Sequence, residues 1–208
     1  PAYLVDEALA RGLPIHTSYG LTEMASQVTT TPPGAAPEVL RTAGRVLPNR
    51  EVSISGEGEI LVRGETLFAG YVEVDRPLDT GGWFHTGDLG ELDEEGYLRV
   101  RGRRDNLFIS GGENVQPEEI EEVLCRLEGI DEAVVVPVPD DEFGARPVAF
   151  VRTNGVALES EYVAQSLKTV LPRFKIPISF HPWPDAGGAM KADRAALGEL
   201  ARRLHSGG

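Results

Sequence analysis

Five short runs of this 208-residue chain combine glycine with hydroxyl, carboxylate or cationic side chains. In Tyr19-Gly20-Leu21-Thr22-Glu23 a hydroxyl and a carboxylate flank a glycine, where backbone can approach a ligand closely. Thr22 suits donation to a phosphate oxygen, and Glu23 suits Mg2+, which is commonly held by one carboxylate together with phosphate oxygens. Trp83-Phe84-His85-Thr86-Gly87-Asp88 ends in an acid that can accept both hydroxyls of a ribose, or can simply cap a turn. Gly102-Arg103-Arg104-Asp105 sits where the chain changes character, so Asp105 marks a bend about which two parts could rotate. Ser110-Gly111-Gly112-Glu113-Asn114 reads as a donor-rich loop just before a helix, suited to phosphate or to a thin ligand arm, and equally as a linker. Asp185-Ala-Gly-Gly-Ala-Met-Lys191 carries one lysine in a glycine-flanked loop, a place where catalytic groups often sit and where solvated lysines sit too.

The elements that must position these runs follow from periodicity. Leu4, Val5, Ala8 and Leu9 share one helical face that Gly12 stops. Residues 13–31 read as strand, turn and loop, and residues 32–37 as a Pro/Gly-rich loop. From 50 to 101 the pattern is β, with turns at Gly56-Glu57-Gly58 and Asp93-Glu-Glu-Gly96, which suggests a small barrel or curled sheet. Beyond Arg103, helix and strand alternate. A helix from Pro117 buries Ile120, Val123, Leu124 and Leu127 and ends at Gly129. Strands follow at 133–138 and 147–152. A second helix presents Val163, Leu167, Val170 and Leu171 before Pro172, a strand covers 178–181, and a last helix aligns Leu197, Leu200, Ala201 and Leu204. The fold class expected is α/β and α+β: residues 1–103 end a large domain and include a β-barrel-like subdomain, and residues 104–208 form a compact α+β domain.

Composition narrows the function. Hydrophobic residues make up 41% and charged residues 25%, as in ordinary globular domains. The net charge of −13 opposes nucleic acid partners and requires that any phosphate site be built from local donors. No apolar run reaches the roughly 20 residues of a membrane span. The single Cys125 excludes an internal disulfide, and the four histidines lack ligand spacing, so no transition-metal site is expected. A cytoplasmic protein is the expectation, and a homodimer remains open. The chain begins inside a helical pattern without methionine, which suggests part of a longer protein.

In order and type, the five runs resemble the acyl-adenylate-forming superfamily of acyl-CoA synthetases, adenylation domains and luciferases. Residues 19–23 are similar to its Y-G-x-T-E motif, and Thr86-Gly87-Asp88 to its T-G-D motif. Gly58-Glu59-Ile-Leu-Val-Arg-Gly64 with Gly70-Tyr71 is similar to its G-E-[IL] segment, residues 102–105 to its hinge, and Lys191 to its late catalytic lysine. The run from Ile109 to Glu121 has the form seen in acyl- and aryl-CoA ligases. Asp105-Asn-Leu-Phe-Ile-Ser-Gly-Gly-Glu-Asn-Val-Gln-Pro-Glu-Glu119, with Glu142-Phe-Gly-Ala-Arg-Pro-Val148, further resembles o-succinylbenzoate–CoA ligases of menaquinone biosynthesis.

The resemblance implies an ATP-dependent acid–CoA ligase with ATP, Mg2+ and CoA as substrates and ion. It assigns catalysis to Lys191, nucleotide binding to Tyr19, Gly20, Thr22, Asp88 and Arg103, and Mg2+ to Glu23. It makes Asp105 the hinge and gives CoA to Ser110, Gly111 and Gly112. Another aryl- or fatty-acyl-CoA ligase is the alternative. The family's phosphate loop and most of its acid pocket are not found in these residues, so the chain on its own is expected to be an inactive folded part of the enzyme.

Overall fold

The computed structural model describes residues 2–72, 78–155, 159–184 and 193–206. The chain divides into two units, Pro1–Asp105 and Asn106–Gly208.

The first unit opens with helix α1 (Ala2–Ala10), which buries Val5 alone and leaves Leu4 48% exposed, so the expected four-residue apolar face is not a buried one. Strand β1 (Ser18–Leu21), a single 3-10 turn (Thr22–Met24) and β2 (Ser26–Thr30) make a bulged hairpin. Helix α2 (Pro37–Leu40) and β3 (Arg45–Val46) follow, β3 pairing with β2. Pro37, expected in a loop, is the first residue of α2, where its fixed φ and missing N–H cost nothing. Strands β4 (Arg50–Ile54), β5 (Glu59–Gly64), β6 (Phe84–Leu92) and β7 (Leu98–Arg103) form an antiparallel meander in that order, with β4 and β7 at its edges. The β6–β7 turn falls where the sequence puts it: Asp93 Oδ1 accepts the backbone N–H groups of Glu95 and Tyr97. Met24, Val28, Ile60, Val62, Phe84 and Leu98 form the core beneath these strands.

The second unit starts with the hairpin β8 (Phe108–Ser110) and β9 (Glu113–Val115), then α3 (Pro117–Leu124). Strands β10 (Ile130–Asp140) and β11 (Gly144–Thr153) pair antiparallel over most of their length. After α4 (Ser160–Leu167), β12 (Phe180–Pro182) joins β11 in parallel, and α5 (Arg194–Ser206) closes the unit. Side chains alternate across this sheet. Val135, Ala149 and Val151 pack with Ile120, Leu124, Val163 and Leu167 on one face; Val134, Val136, Val148 and Phe150 pack with Leu197 and Ala201 on the other. With both faces covered, β10 reads as an almost unbroken apolar run instead of an alternation.

Several boundaries differ from expectation. Helix α3 ends at Leu124, five residues before Gly129, and continues as tight turns in which Leu127 N–H donates to the Leu124 carbonyl at 3.0 Å. Helix α4 ends at Leu167; Leu171 stays buried, whereas Val170 is 64% exposed. Strand β12 begins at Phe180, and Leu204 on α5 is 47% exposed. The mixed α/β character is as expected. Among the described residues, no helix is long and apolar enough to cross a membrane.

Candidate functional site

The β5–β6 ladder contains an irregularity that shapes the first unit's polar cavity. Glu59 pairs with Leu89 and Leu61 with His85, so three residues of β6 (Thr86, Gly87, Asp88) stand against the single Ile60 of β5. Such a bulge re-aims side chains and leaves backbone groups to be satisfied by other means. Thr86 Oγ1 donates to the Ile60 carbonyl at 2.7 Å and accepts the Asp88 N–H at 3.0 Å. Gly87 takes φ +72°, and a Cβ there would lie 3.0 Å from the Arg103 guanidinium, so both the turn and the stacking require glycine.

The bulge aims Asp88 at the mouth of a cavity of about 330 Å³ that Leu21, Glu23, Tyr71, His85, Thr86, Arg103 and Arg104 also line. Tyr19, buried in the core, donates its hydroxyl to Asp88 Oδ2 at 2.7 Å. Arg103, directly across the β6–β7 ladder from Asp88, donates to Asp88 Oδ1 at 3.1 Å and to the Thr86 carbonyl at 2.8 Å, and reaches Asp105 at 3.3 Å. Burial, reinforced by the bond to Asp88, pushes the Tyr19 phenol well above its ordinary pKa, so it remains a donor at neutral pH. An ionised carboxylate offers about four lone-pair directions. Two of those on Asp88 are used by Tyr19 and Arg103, and two have no side-chain donor among the described residues.

Glu23 follows on the 3-10 turn after β1. Its Oε1 accepts the Tyr71 hydroxyl at 2.7 Å, and its backbone carbonyl accepts Phe68 N–H at 2.7 Å. Phe68 stands edge-on to Tyr71 and to Phe84, so the aromatic group fixes this wall of the cavity. A half-buried carboxylate at a polar mouth, with one oxygen tied back, fits a cation that also binds phosphate. Thr22 is exposed at the same turn. Gly20 serves the hairpin itself: a Cβ there would be 2.2 Å from the Ser26 carbonyl oxygen, so its small size admits the backbone of β2.

Tyr19, Glu23, Asp88, Arg103 and Asp105 therefore converge around one cavity. Ser110, Gly111 and Gly112 belong to the second unit. The expected loop at a helix start is instead the tight turn of the β8–β9 hairpin: Ser110 pairs with Glu113, and both glycines take positive φ, +60° and +86°, as a two-residue hairpin turn demands. Glu113–Val115 separate it from α3. Ser110 is buried and its hydroxyl has no hydrogen-bond partner among the described residues, while Gly111 N–H donates to the Phe143 carbonyl at 2.9 Å. Lys191 lies outside the described residues. Cys125 packs half-buried against the second unit's core, as a small apolar residue would.

Residues 119–185 match the family model of the AMP-binding enzyme C-terminal domain. The chain is 42% identical over 170 residues to a 2-succinylbenzoate–CoA ligase of Listeria monocytogenes, covering 80% of this chain and 36% of the relative. Its fold matches that of an Escherichia coli MenE variant with bound OSB-AMS at a TM-score of 0.85 and 34% identity, over 98% of this chain and 44% of that one. It also matches the o-succinylbenzoate coenzyme A synthetase of Bacillus subtilis in complex with ATP and magnesium ion, at a TM-score of 0.78 and 34% identity over 88% of this chain and 40% of that one. Over most of its length the chain is similar to these acid–CoA ligases. It spans well under half the length of these relatives.

Two members of the site lie in the segment similar to the G-E-[IL] run, to which the sequence assigned no role. Glu59, on β5, contacts His85, Gly87 and Arg104, and Tyr71 contacts Glu23. For the first, the available signs were that resemblance and a charged residue heading the apolar run Ile60-Leu61-Val62.

Proposed function

We propose that the chain supplies part of an ATP-dependent o-succinylbenzoate–CoA ligase, and that the cavity beside the Thr86-Gly87-Asp88 bulge receives the nucleotide ribose. The observation that carries the reading is the two unfilled acceptor directions of Asp88, held in place by Tyr19 and Arg103, in a chain similar to 2-succinylbenzoate–CoA ligases.

In the reaction, a carboxylate oxygen of the acid attacks the α-phosphorus of ATP and pyrophosphate leaves. The CoA sulfur then attacks the acyl carbon of the adenylate, and AMP leaves. Asp88 and Arg103 orient the ribose, and Thr22 donates to a phosphate oxygen. Glu23 would hold Mg2+, which supplies charge neutralisation of the phosphates when bound. Lys191 places an ammonium where negative charge grows between the attacking carboxylate and the α-phosphate, a contribution that raises kcat because it is strongest in the transition state. Ser110, Gly111 and Gly112 receive the pantetheine arm of CoA. Asp105 is the hinge about which residues 104–208 turn between the two half-reactions, supported by the boundary between the units falling at Asp105. A cytoplasmic location accords with ATP and CoA as substrates.

The test takes the full-length protein that contains this chain, with its own acid pocket, and measures acid-dependent ATP–pyrophosphate exchange with o-succinylbenzoate, benzoate and fatty acids. Exchange with o-succinylbenzoate alone is expected. Exchange with a different acid alone overturns the substrate, and Lys191→Ala that slows both half-reactions equally overturns the role of the lysine.

A further inference from the structure

Glu59 is a carboxylate where the fold can least easily carry one. It heads β5, directly before the core residue Ile60, and its side chain is 3% exposed. A buried charge persists only where several donors face it. Three do. The Gly87 N–H donates to Oε1 at 2.9 Å, the His85 ring approaches Oε2 through Nδ1 at 3.0 Å, and Arg104 Nη1 donates to Oε2 at 2.8 Å. Burial works against its charge, and the bonds from His85 and Gly87 together with the Arg104 charge outweigh it, leaving the carboxyl below its ordinary pKa.

The three donors have different origins, and that gives Glu59 its meaning. The Gly87 N–H loses its ladder partner because the bulge sets three residues of β6 against one of β5. Glu59 substitutes for that partner. His85 stands immediately before the bulge and is steadied from its other side by Asp79 at 3.6 Å. Arg104 comes from the 3-10 turn that follows β7, one residue after the Arg103 that holds Asp88. One buried group thus fastens the bulge that aims Asp88 and the segment that carries Arg103.

We infer that Glu59 is a positioning residue for the ribose contact: it sets the direction of Asp88 and Arg103 without itself reaching the nucleotide. The inference rests on the reading of the cavity as a ribose site. It makes the G-E segment and the T-G-D segment one device, with the acid of the first pinning the glycine of the second.

The variant is Glu59→Gln, which has nearly the same shape. Its amide oxygen can still accept from Gly87, but its NH2 faces the donors His85 and Arg104. NMR titration of the isotope-labelled full chain with AMP and with 2′,3′-dideoxy-AMP detects binding into the millimolar range. The unmodified chain is expected to bind AMP more tightly than the dideoxy analogue. Glu59→Gln is expected to weaken AMP about tenfold, the scale of one misdirected charge-assisted contact, and to leave the dideoxy analogue unchanged. Equal weakening of both ligands overturns the inference, because a general loosening of the fold does not discriminate ribose hydroxyls. Unchanged AMP binding by a folded Glu59→Gln chain also overturns it. Equal binding of the two ligands by the unmodified chain overturns instead the ribose reading beneath it. Should Glu59→Gln not fold, Arg104→Gln is put through the same comparison: selective loss of AMP binding supports the inference, and any other result overturns it.

Discussion

Replacing Asp88 with alanine removes the acceptor to which the ribose reading assigns two hydroxyls, and the structure sets the size of the expected effect. Tyr19 and Arg103 occupy one direction on each carboxylate oxygen and leave two. Hydrogen bonds to a charged partner contribute about 1.5–3 kcal/mol each, and the side chain's contact with open solvent favours the lower end. Two such bonds give about 3 kcal/mol, or roughly a hundredfold loss of AMP affinity at 25 °C. The substitution has a second consequence, since the Tyr19 hydroxyl loses its acceptor in a buried setting, at about 1–3 kcal/mol of fold stability. Calorimetric AMP titration of Asp88→Ala, with a thermal melt of the same sample, separates the two. Titration with 2′,3′-dideoxy-AMP completes a cycle: the variant and the parent chain should bind that analogue alike. A folded Asp88→Ala chain that binds AMP as well as the parent refutes the reasoning, because no other described side chain combines a ring of fixed donors with unfilled acceptor directions at this cavity.

Other consequences are checked more directly. In the ligase completed with the remainder of a relative, Lys191→Ala should slow adenylation by about a hundred- to a thousandfold while largely sparing thioester formation from supplied acyl-adenylate, read in separate single-turnover assays. His85 is held above its ordinary pKa mainly by its bond to Glu59, so its NMR titration midpoint should lie above 6.5 and fall in Glu59→Gln. The stability that pair contributes is fully present below the unfolded histidine pKa and is lost as pH rises through the folded one. Burial pushes the Glu121 carboxyl up, while Arg194, bonded at 2.7 Å, pulls it back. Arg194→Met should therefore cost least stability near pH 3, below the ordinary glutamate pKa, and progressively more towards pH 7, as urea melts across that range will show. Leu124→Ala in the second unit's core should lower its stability by about 2–5 kcal/mol, read from hydrogen exchange of β10 amides.

The turns of the first unit were legible because each carries its own chemistry. Asp93 followed three residues later by Gly96 specifies the β6–β7 turn locally; counting outward from it sets Asp88 opposite Gly102, and a one-residue shift at Leu89/Gly90 moves the pairing to Arg103. Helix ends were less legible, and for one shared reason. After Leu124 and after Leu167 the chain continues in single turns, closed by an i→i+3 bond at Leu127 and an i→i+4 bond at Leu171, that keep both leucines facing the core, so the apolar spacing outlasts the helix. Periodicity reports which side chains are buried, and only indirectly which hydrogen bonds bury them. The same limit explains Val170, which shares the spacing and is turned outward once the helix has ended.

The site divides along similar lines. Tyr19, Glu23, Asp88 and Arg103 were found because their types and order are informative on the linear chain. Glu59 was not, although it contacts the bulge, His85 and Arg104, because its role arises from a mismatch of three residues against one that exists only when β5 is laid beside β6. A glutamate before Ile60-Leu61-Val62 is by itself compatible with an exposed strand end. Only the lost ladder partner of Gly87 makes a buried acceptor necessary at that position, and a side-chain carboxylate meets the need while also holding Arg104. In a sheet, then, a charged residue next to a continuous apolar run deserves the question of which backbone group opposite it lacks a partner. Here the answer is Gly87.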